Sequence, residues 1–246
     1  MFPGAAIAVA RAVVDPLLTV VFPSFCVVCR APLSEPTRGP LCQGCWTCLP
    51  RHRDALCPCG VPLGAGVPRP CGRCRRGRAA FEAGASLGPY EASLRTAIHE
   101  LKYRGRRRLA GRLAEALLAE PGPRAVLGGA VVLVPVPLHP RRRRERGFNQ
   151  SELIAQALAR LTRLPVAASA LVRRQDTPSQ SGLSAAERRR NVASAFVVRR
   201  RPAIAGRVVV IVDDVLTTGA TARACASALR AAGARSVRLL TIARVA

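Results

Sequence analysis

The stretch VVVIVDDVLTTGAT, residues 208–221, decides the fold class. It opens with β-branched residues from Val208 to Val212, the composition of a strand buried on both faces, which favours a parallel sheet. Helical spacing follows over Thr221–Ala232, and Gly233 is expected to end that helix. A further strand is predicted over Ser236–Ala243. Because strands and helices alternate along the chain, the sequence predicts an α/β fold.

The link between this strand and its helix carries residues suited to a sugar phosphate. Asp213 and Asp214 can accept hydrogen bonds from two vicinal hydroxyls, as on a ribose. Residues 217–221 offer threonine hydroxyls and backbone N–H groups at a helix N-terminus, which is a favourable place for a phosphate. Gly219 lets the backbone approach that phosphate closely. The alternative is an ordinary strand-to-helix turn with a capping threonine.

Other elements follow from periodicity and turn residues. Apolar residues at helical spacing predict helices over 92–104 and 107–119, and a short apolar run predicts a buried strand at Val131–Val134. We expect a basic loop at Arg141–Arg144, then a helix from about Asn149. The polar residues 173–191 predict a mobile loop, and Ala195–Val198 a strand.

Nine of the ten cysteines lie between residues 26 and 74, mostly in closely spaced pairs. Such pairs in a reducing compartment are typical of zinc sites, and two pairs about a dozen residues apart can close one tetrahedron. Cys48 is a competing ligand, and two disulfides or free thiols are the alternative. The pattern predicts one or two zinc ions, the ligands being Cys26, Cys29, Cys42 and Cys45 for the first and Cys57, Cys59, Cys71 and Cys74 for the second.

The chain is strongly basic, with 39 Lys+Arg against 14 Asp+Glu and a net charge of +25. Only Lys102 is a lysine, so the arginine excess has two readings: a bias of the coding sequence, or a surface for anionic partners. The apolar content, 49%, argues against global disorder, and no collagen or coiled-coil period occurs.

The N-terminal residues are apolar but interrupted by Arg11, Asp15, Pro16 and Pro23. Residues 5–20 are expected to form an amphipathic helix that packs on the protein, with a membrane-surface role as the alternative. No run reaches the roughly 18–20 residues of a transmembrane span, and no basic segment precedes the apolar one. We therefore expect a cytoplasmic protein without a transmembrane segment.

Several blocks together resemble one family. The 208–221 stretch resembles the phosphoribosyl pyrophosphate (PRPP) signature of type I phosphoribosyltransferases. The whole chain is similar to the ComF/GntX competence-protein family, whose pattern is a cysteine-rich ribbon followed by characteristic blocks. The matching blocks here are KYRG at 102–105, PVPLHP at 135–140, RGFNQ at 146–150, Gln180 and RRRN at 188–191.

This resemblance implies a type I phosphoribosyltransferase-like parallel sheet with helices on both faces, preceded by a small zinc-ribbon domain. The implied boundaries are 1–22 for the N-terminal helix, 23–78 for a double zinc ribbon and 79–246 for the phosphoribosyltransferase-like domain. The chain departs from the family pattern at Cys57 and Cys59, which are separated by one residue where two are usual.

The resemblance also implies roles for single residues. Asp213 and Asp214 would be catalytic, holding the ribose hydroxyls where positive charge develops, and Mg²⁺ would accompany PRPP. Val136 would lie in the pyrophosphate loop. Arg146, Arg173, Arg188 and Arg189 are candidates for binding pyrophosphate charge. The 5′-phosphate would be cradled by Thr217, Thr218, Gly219, Ala220 and Thr221.

Two functions follow from the resemblance. One is a protein that binds PRPP or a related sugar phosphate and serves DNA uptake or DNA processing, with single-stranded DNA and a DNA-uptake helicase as partners. The other is an active phosphoribosyltransferase with an unidentified nitrogen acceptor. The sequence contains no recognisable hood for an acceptor.

Overall fold

A parallel four-stranded sheet forms the centre of the computed structural model, which describes residues 14–17, 19–52, 56–64, 70–77, 79–174 and 195–245. The strands are β1 (Gly84–Pro89), β2 (Val132–Pro135), β3 (Leu171–Arg173), β4 (Phe196–Val198), β5 (Val208–Leu216) and β6 (Ser236–Arg244). The order in the sheet is β1-β6-β5-β2, and β3 and β4 pair antiparallel as a separate hairpin.

Besides the helical residues 14–17 and 19–21, the described part of the chain contains eight α-helices and short 3₁₀ turns at Pro36–Arg38 and Arg201–Ala203. They are α1 (Gln43–Thr47), α2 (Gly72–Arg75), α3 (Ala92–Tyr103), α4 (Leu109–Ala119), α5 (Pro121–Leu127), α6 (Pro140–Arg146), α7 (Gln150–Thr162) and α8 (Ala220–Ala231).

Side chains of β5 alternate between two apolar clusters. Val210 and Val212 pack with helices α3, α4 and α7, whereas Val209 and Ile211 pack with α8 and the hairpin. All four side chains are fully buried, because alternate residues of a strand point to opposite faces and both faces are covered. The predicted parallel sheet with helices on both faces is confirmed.

Two elements differ from the sequence-based expectation. Arg141–Arg144 was predicted as a loop but lies in helix α6. His139 caps this helix with its side chain, Pro140 starts it, and Gly147 ends it in the left-handed conformation (φ 76°). These capping residues outweigh the repulsion among consecutive arginines. Strand β5 continues past Val212 to Leu216, so both aspartates lie on the strand itself.

Strand β1 and helix α5 have no counterpart among the predicted elements. The sequence of β1, GASLGP, contains two glycines and a proline, which are poor strand formers. Tertiary contacts explain the glycines: a Cβ at Gly84 would lie 2.7 Å from the Cys59 carbonyl oxygen, and one at Gly88 would lie 2.0 Å from that of Pro50. The cysteine-rich segment thus docks on β1 at a distance that only glycine permits.

Further contacts join the cysteine-rich segment to the sheet and its helices. Gly84 donates its N–H to Pro58 (2.7 Å), and His52 shares a 2.6 Å hydrogen bond with Ser86. The Trp46 ring packs under the Arg112 guanidinium of α4, 3.9 Å from its centroid. The proposed boundary at residue 78 therefore separates segments that pack tightly together.

The described N-terminal residues 14–17 and 19–21 are helical, and buried Asp15 accepts two 3.0 Å hydrogen bonds from Thr37. Most of the predicted 5–20 helix lies outside the described residues, as do positions 175–194, which include most of the predicted mobile loop. No helix in the described ranges is long and apolar enough to cross a membrane.

Candidate functional site

The acidic pair, Asp213 and Asp214, lies near the carboxyl end of β5, and its two carboxylates have different partners. Asp213 accepts a 2.9 Å hydrogen bond from the Ser151 hydroxyl, at the start of α7. Asp214 is 4% exposed and forms an ion pair with Lys102, the penultimate residue of α3. Two helices that pack on the same side of the sheet therefore deliver the groups that hold the acidic pair.

Lys102 is the single lysine among 39 basic residues, and its side chain is only 16% exposed. A lysine ends in a compact ammonium on a flexible stem, whereas an arginine ends in a wide planar fork. The chain therefore uses its one lysine where a cation must reach a buried carboxylate at the end of a helix.

Burial shifts the titration of this group of residues. It raises the pKa of Asp213 to about 6, although the Ser151 hydrogen bond and the Lys102 charge oppose the shift. Burial also lowers the pKa of Lys102 to about 8; the Asp213 charge opposes this, and the Arg146 charge adds to it. Perturbed acids and bases that face one another at a strand end are typical of functional sites.

The phosphate loop, residues 217–221, follows β5 and leads into α8. Thr217 and Thr218 are exposed, and Gly219 has the left-handed conformation (φ 72°) that glycine adopts without strain. Arg223 donates a hydrogen bond to the Thr218 carbonyl at 2.8 Å and thereby restricts the loop. The first N–H groups of α8 lack partners within the helix, so this turn is suited to an anion.

The loop that was predicted to bind pyrophosphate follows the end of β2. Val136 donates its N–H to Val212 and accepts from Asn149, both at 2.9 Å, so its backbone groups hold the loop in place. His139 accepts from the Arg141 N–H as the cap of α6, which gives it a structural role. A cavity of about 420 Å³ adjoins this region, lined by Lys102, Tyr103, Gly105, Arg142, Glu145, Arg146 and Phe148.

The structure places Arg146 and Arg173 differently. The Arg146 guanidinium contacts the Gln150 side chain and lies 5.0 Å from the Tyr103 ring centre, so it faces the Lys102 end of the acidic pair. Arg173 lies on β3 over the Phe196 ring, 5.7 Å away. Arg188, Arg189 and Gln180 lie outside the described residues.

The eight predicted metal ligands form two clusters of four, and the ligand sulfurs of each cluster lie within 4.8 Å of one another. The first cysteine cluster is Cys26, Cys29, Cys42 and Cys45, and the second is Cys57, Cys59, Cys71 and Cys74. The one-residue spacer between Cys57 and Cys59 does not prevent the second cluster from forming, and Cys48 belongs to neither.

The distances fit zinc. Sulfurs about 2.3 Å from a zinc ion at the centre of a regular tetrahedron are about 3.8 Å apart. The Cys29–Cys42 sulfurs are 3.6 Å apart, and the Cys59–Cys71 sulfurs are 3.8 Å apart. Burial and neighbouring thiols raise the pKa of Cys45 and of Cys74, so four thiolates in one cluster need a cation to balance them.

Two residues of the site were not assigned a role from the sequence. Ser151 lies in a helix with no motif that marks its hydroxyl. Lys102 was named from the sequence only as the single lysine and as part of the KYRG block. Its uniqueness among the basic residues is the signal in the sequence that could have marked a special position.

Comparison with known proteins identifies relatives along nearly the whole chain. Residues 149–246 match the phosphoribosyl transferase domain family. The chain is 37% identical to DNA utilization protein YhgH of Salmonella typhi, over 93% of this chain and 99% of that protein. It is 30% identical to competence protein F of Haemophilus influenzae, over 89% of this chain and 96% of that protein.

A solved structure also aligns with the chain: glutamine phosphoribosylpyrophosphate amidotransferase from B. subtilis, with a TM-score of 0.38 and 25% identity, over 54% of this chain and 25% of that one. The curated relatives, in contrast, match over nearly their full length, so the alignment spans both the cysteine-rich segment and the phosphoribosyl transferase domain. These full-length relatives and the matched domain together show that the chain is a member of the ComF family.

Proposed function

We propose that this protein binds PRPP or a related ribose 5-phosphate at the acidic pair and the phosphate loop, and that it serves DNA utilization. The observation that carries the proposal is the pairing of Asp213 with Ser151 and of buried Asp214 with Lys102, directly before the phosphate loop. A ribose whose 5′-phosphate lies on the loop would extend its hydroxyls toward these carboxylates. The link to DNA comes from the names of the full-length relatives.

The residues have distinct parts in such binding. Asp213, once ionised, accepts a ribose hydroxyl while Ser151 keeps the carboxylate turned toward the sugar. Lys102 pairs with Asp214, since an uncompensated carboxylate at 4% exposure is costly. Both carboxylates then lie where positive charge would develop at the anomeric carbon as pyrophosphate leaves.

Mg²⁺ would enter with the pyrophosphate, whose hard oxygens suit it, and would neutralise charge there. Ser151 and Lys102 hold the two carboxylates in position, and hydrogen bonds from sugar hydroxyls would add to these contacts. The two zinc ions would be held by the two cysteine clusters and would stabilise the ribbon.

Calorimetric titration with PRPP and Mg²⁺, and separately with ribose 5-phosphate, tests the proposal. Asp213→Asn keeps the size of the side chain and removes its charge. We expect it to weaken binding by ~1.5–3 kcal/mol, the range for hydrogen bonds to charged groups, which is roughly ten- to a hundredfold. Glu115→Gln, an exposed carboxyl on α4, is the matched control.

A wild-type protein with no detectable binding of either ligand at millimolar concentration would end the proposal. Transfer to a nitrogen acceptor is the second candidate function, favoured by the intact Asp-Asp and Thr-Thr-Gly spacing at the strand end. A pyrophosphate-release assay with ammonia and a panel of nucleobases tests it. Pyrophosphate release that depends on both the acceptor and Asp213 would establish an enzyme. If none of the tested acceptors causes release, the protein is a binding protein.

A further inference from the structure

A second cavity lies between the ribbon and the phosphate loop, apart from the one beside Lys102. Its volume is about 490 Å³, within the range of small-molecule sites. One wall comes from the ribbon, where Cys59, Cys71 and Arg76 line it. The opposite wall comes from the end of β5 and the phosphate loop, residues 216–219.

Three arginines from separate parts of the fold converge on this cavity. Arg76 follows α2 in the ribbon, Arg223 lies on α8, and Arg244 ends β6. Among the described residues that line the cavity there is no carboxylate. The lining is therefore cationic and already touches the loop expected to carry a phosphate.

Two of these guanidinium groups are anchored by backbone carbonyls. Arg223 donates to Thr218 at 2.8 Å, and Arg244 donates to Gly60 at 3.3 Å. Such bonds reduce the conformational freedom that a ligand would otherwise have to restrict. The ribbon wall is fixed as well, because Gly84 bonds to Pro58 and leaves no room for a side chain there.

The second cysteine cluster accounts for only part of this charge. A zinc ion with four thiolates would carry two net negative charges, fewer than the three positive charges of the arginines that line the cavity. Arg223 contacts the phosphate loop itself, on the far wall of the cavity. The cavity also has an apolar part at Ala80 and Phe81, and the charge of a metal cluster does not explain this part.

We propose that this cavity binds a second phosphate, attached to the 5′-phosphate of the sugar on the phosphate loop. The ligand class is then a ribose 5-diphosphate ester, with its further substituent lying along the Phe81 wall. This inference rests on the proposed function, because the first phosphate must occupy residues 217–221. It extends the site beyond PRPP, whose 5′-phosphate is terminal.

Titration with ribose 5-phosphate, ADP-ribose and AMP tests the inference. In the wild type we expect ADP-ribose to bind about tenfold or more tightly than ribose 5-phosphate, because a second phosphate adds charge-assisted hydrogen bonds. Arg76→Ala should remove most of that difference and leave the affinity for ribose 5-phosphate unchanged. Arg75→Ala is the matched control, since Arg75 is an exposed neighbour on α2 that does not line the cavity.

The outcomes separate the two proposals. If neither ribose 5-phosphate nor ADP-ribose binds, the proposed function fails and this inference fails with it. If ribose 5-phosphate binds but ADP-ribose binds no more tightly, only the inference is overturned. AMP binding as tightly as ADP-ribose would overturn it too, since adenosine alone would explain the gain. Loss of zinc from Arg76→Ala, measured on the same sample, with equal loss of both affinities would assign Arg76 to the metal cluster instead.

Discussion

Asp213 and Asp214 are neighbours in sequence but differ in what their replacement should do. Asp213 has a neutral hydroxyl partner, Ser151, so Asp213→Asn leaves no charge unpaired. Asp214 has the Lys102 ammonium as its partner, so loss of either side chain leaves a buried charge alone. The acidic pair thus combines one residue free to serve a ligand with one that also stabilises the fold.

Asp214→Asn should lower the free energy of unfolding by about 3–5 kcal/mol, the usual cost of breaking a buried ion pair from one side, because it leaves the Lys102 ammonium without its carboxylate. Urea denaturation monitored by circular dichroism measures it. The double variant Lys102→Met/Asp214→Leu should recover much of the loss, because neither charge then remains. Single variants within about 0.5 kcal/mol of the wild type would mean that water screens the pair.

The protonation of Asp213 should make both the free energy of unfolding and the affinity for ligand depend on pH. Its pKa rises from 3.8 to about 6 on folding, so the folded state keeps a proton that the unfolded state has lost between these values. The free energy of unfolding should therefore fall as pH rises from about 4 to 6. Affinity for ribose 5-phosphate should rise toward pH 7 as Asp213 ionises, and Asp213→Asn should flatten both profiles relative to Glu115→Gln.

Lys102 adds a trend at higher pH. Its pKa falls from 10.5 to about 8 on folding, so the folded lysine loses its proton first and the contribution to stability rises with pH between these values. Denaturation midpoints between about pH 8 and 10 in the wild type and in Lys102→Met would resolve this contribution. A slope that is equal in the two proteins would assign the trend to other groups.

At the scale of elements, the two cysteine clusters make the ribbon a pair of small metal modules. Purified protein should carry two zinc ions per chain, because both sets of four sulfurs have a suitable geometry. Cys57→Ser should reduce the content to one. Cys48→Ser, outside both clusters, should leave it at two. Elemental analysis of protein purified without chelator measures each value, and a zinc-free wild type would exclude metal modules.

Glycines of strand β1 set how closely the ribbon docks. Gly84→Ala should weaken that docking, because the added Cβ would lie 2.7 Å from a backbone oxygen that cannot move freely. We expect a loss of about 1–3 kcal/mol in unfolding free energy, as for other overpacked sites. Gly111→Ala is the control: it lies in α4 with open space at its Cβ, and a gain of about 0.5–1 kcal/mol is expected. Equal effects of the two substitutions would contradict the docking interpretation.

For the whole molecule, the charge of +25 is the feature that bears on large anionic partners. We expect weak binding to single-stranded DNA with little sequence preference, and an affinity that falls linearly on a log–log plot against salt. Fluorescence anisotropy with a labelled oligonucleotide at roughly 50–200 mM salt measures the slope. An affinity unchanged over this range would reject electrostatic binding and favour a compositional origin of the arginines.

The sequence by itself determined the features that are local along the chain. The β-branched run of β5, the capping of α7 and the glycine turn before α8 all follow from neighbouring residues, and each appears in the structure. The cysteine pairs likewise indicated their clusters, because short spacers restrict where two sulfurs can point. The same local reasoning failed at α6, where caps at both ends of an arginine run were overlooked.

Tertiary structure alone decided the features that join residues far apart in sequence. The Lys102–Asp214 pair joins two distant elements, α3 and β5, and the Gly84 contact depends on the ribbon that lies opposite it. Strand β1 is stable as a strand because it pairs with β6 and because Gly84 donates its N–H to the Pro58 carbonyl, although its own residues disfavour a strand. The cavity beside the phosphate loop has walls from separate segments. Such features arise from packing between elements, and no short stretch of sequence contains the atoms on both sides of these contacts.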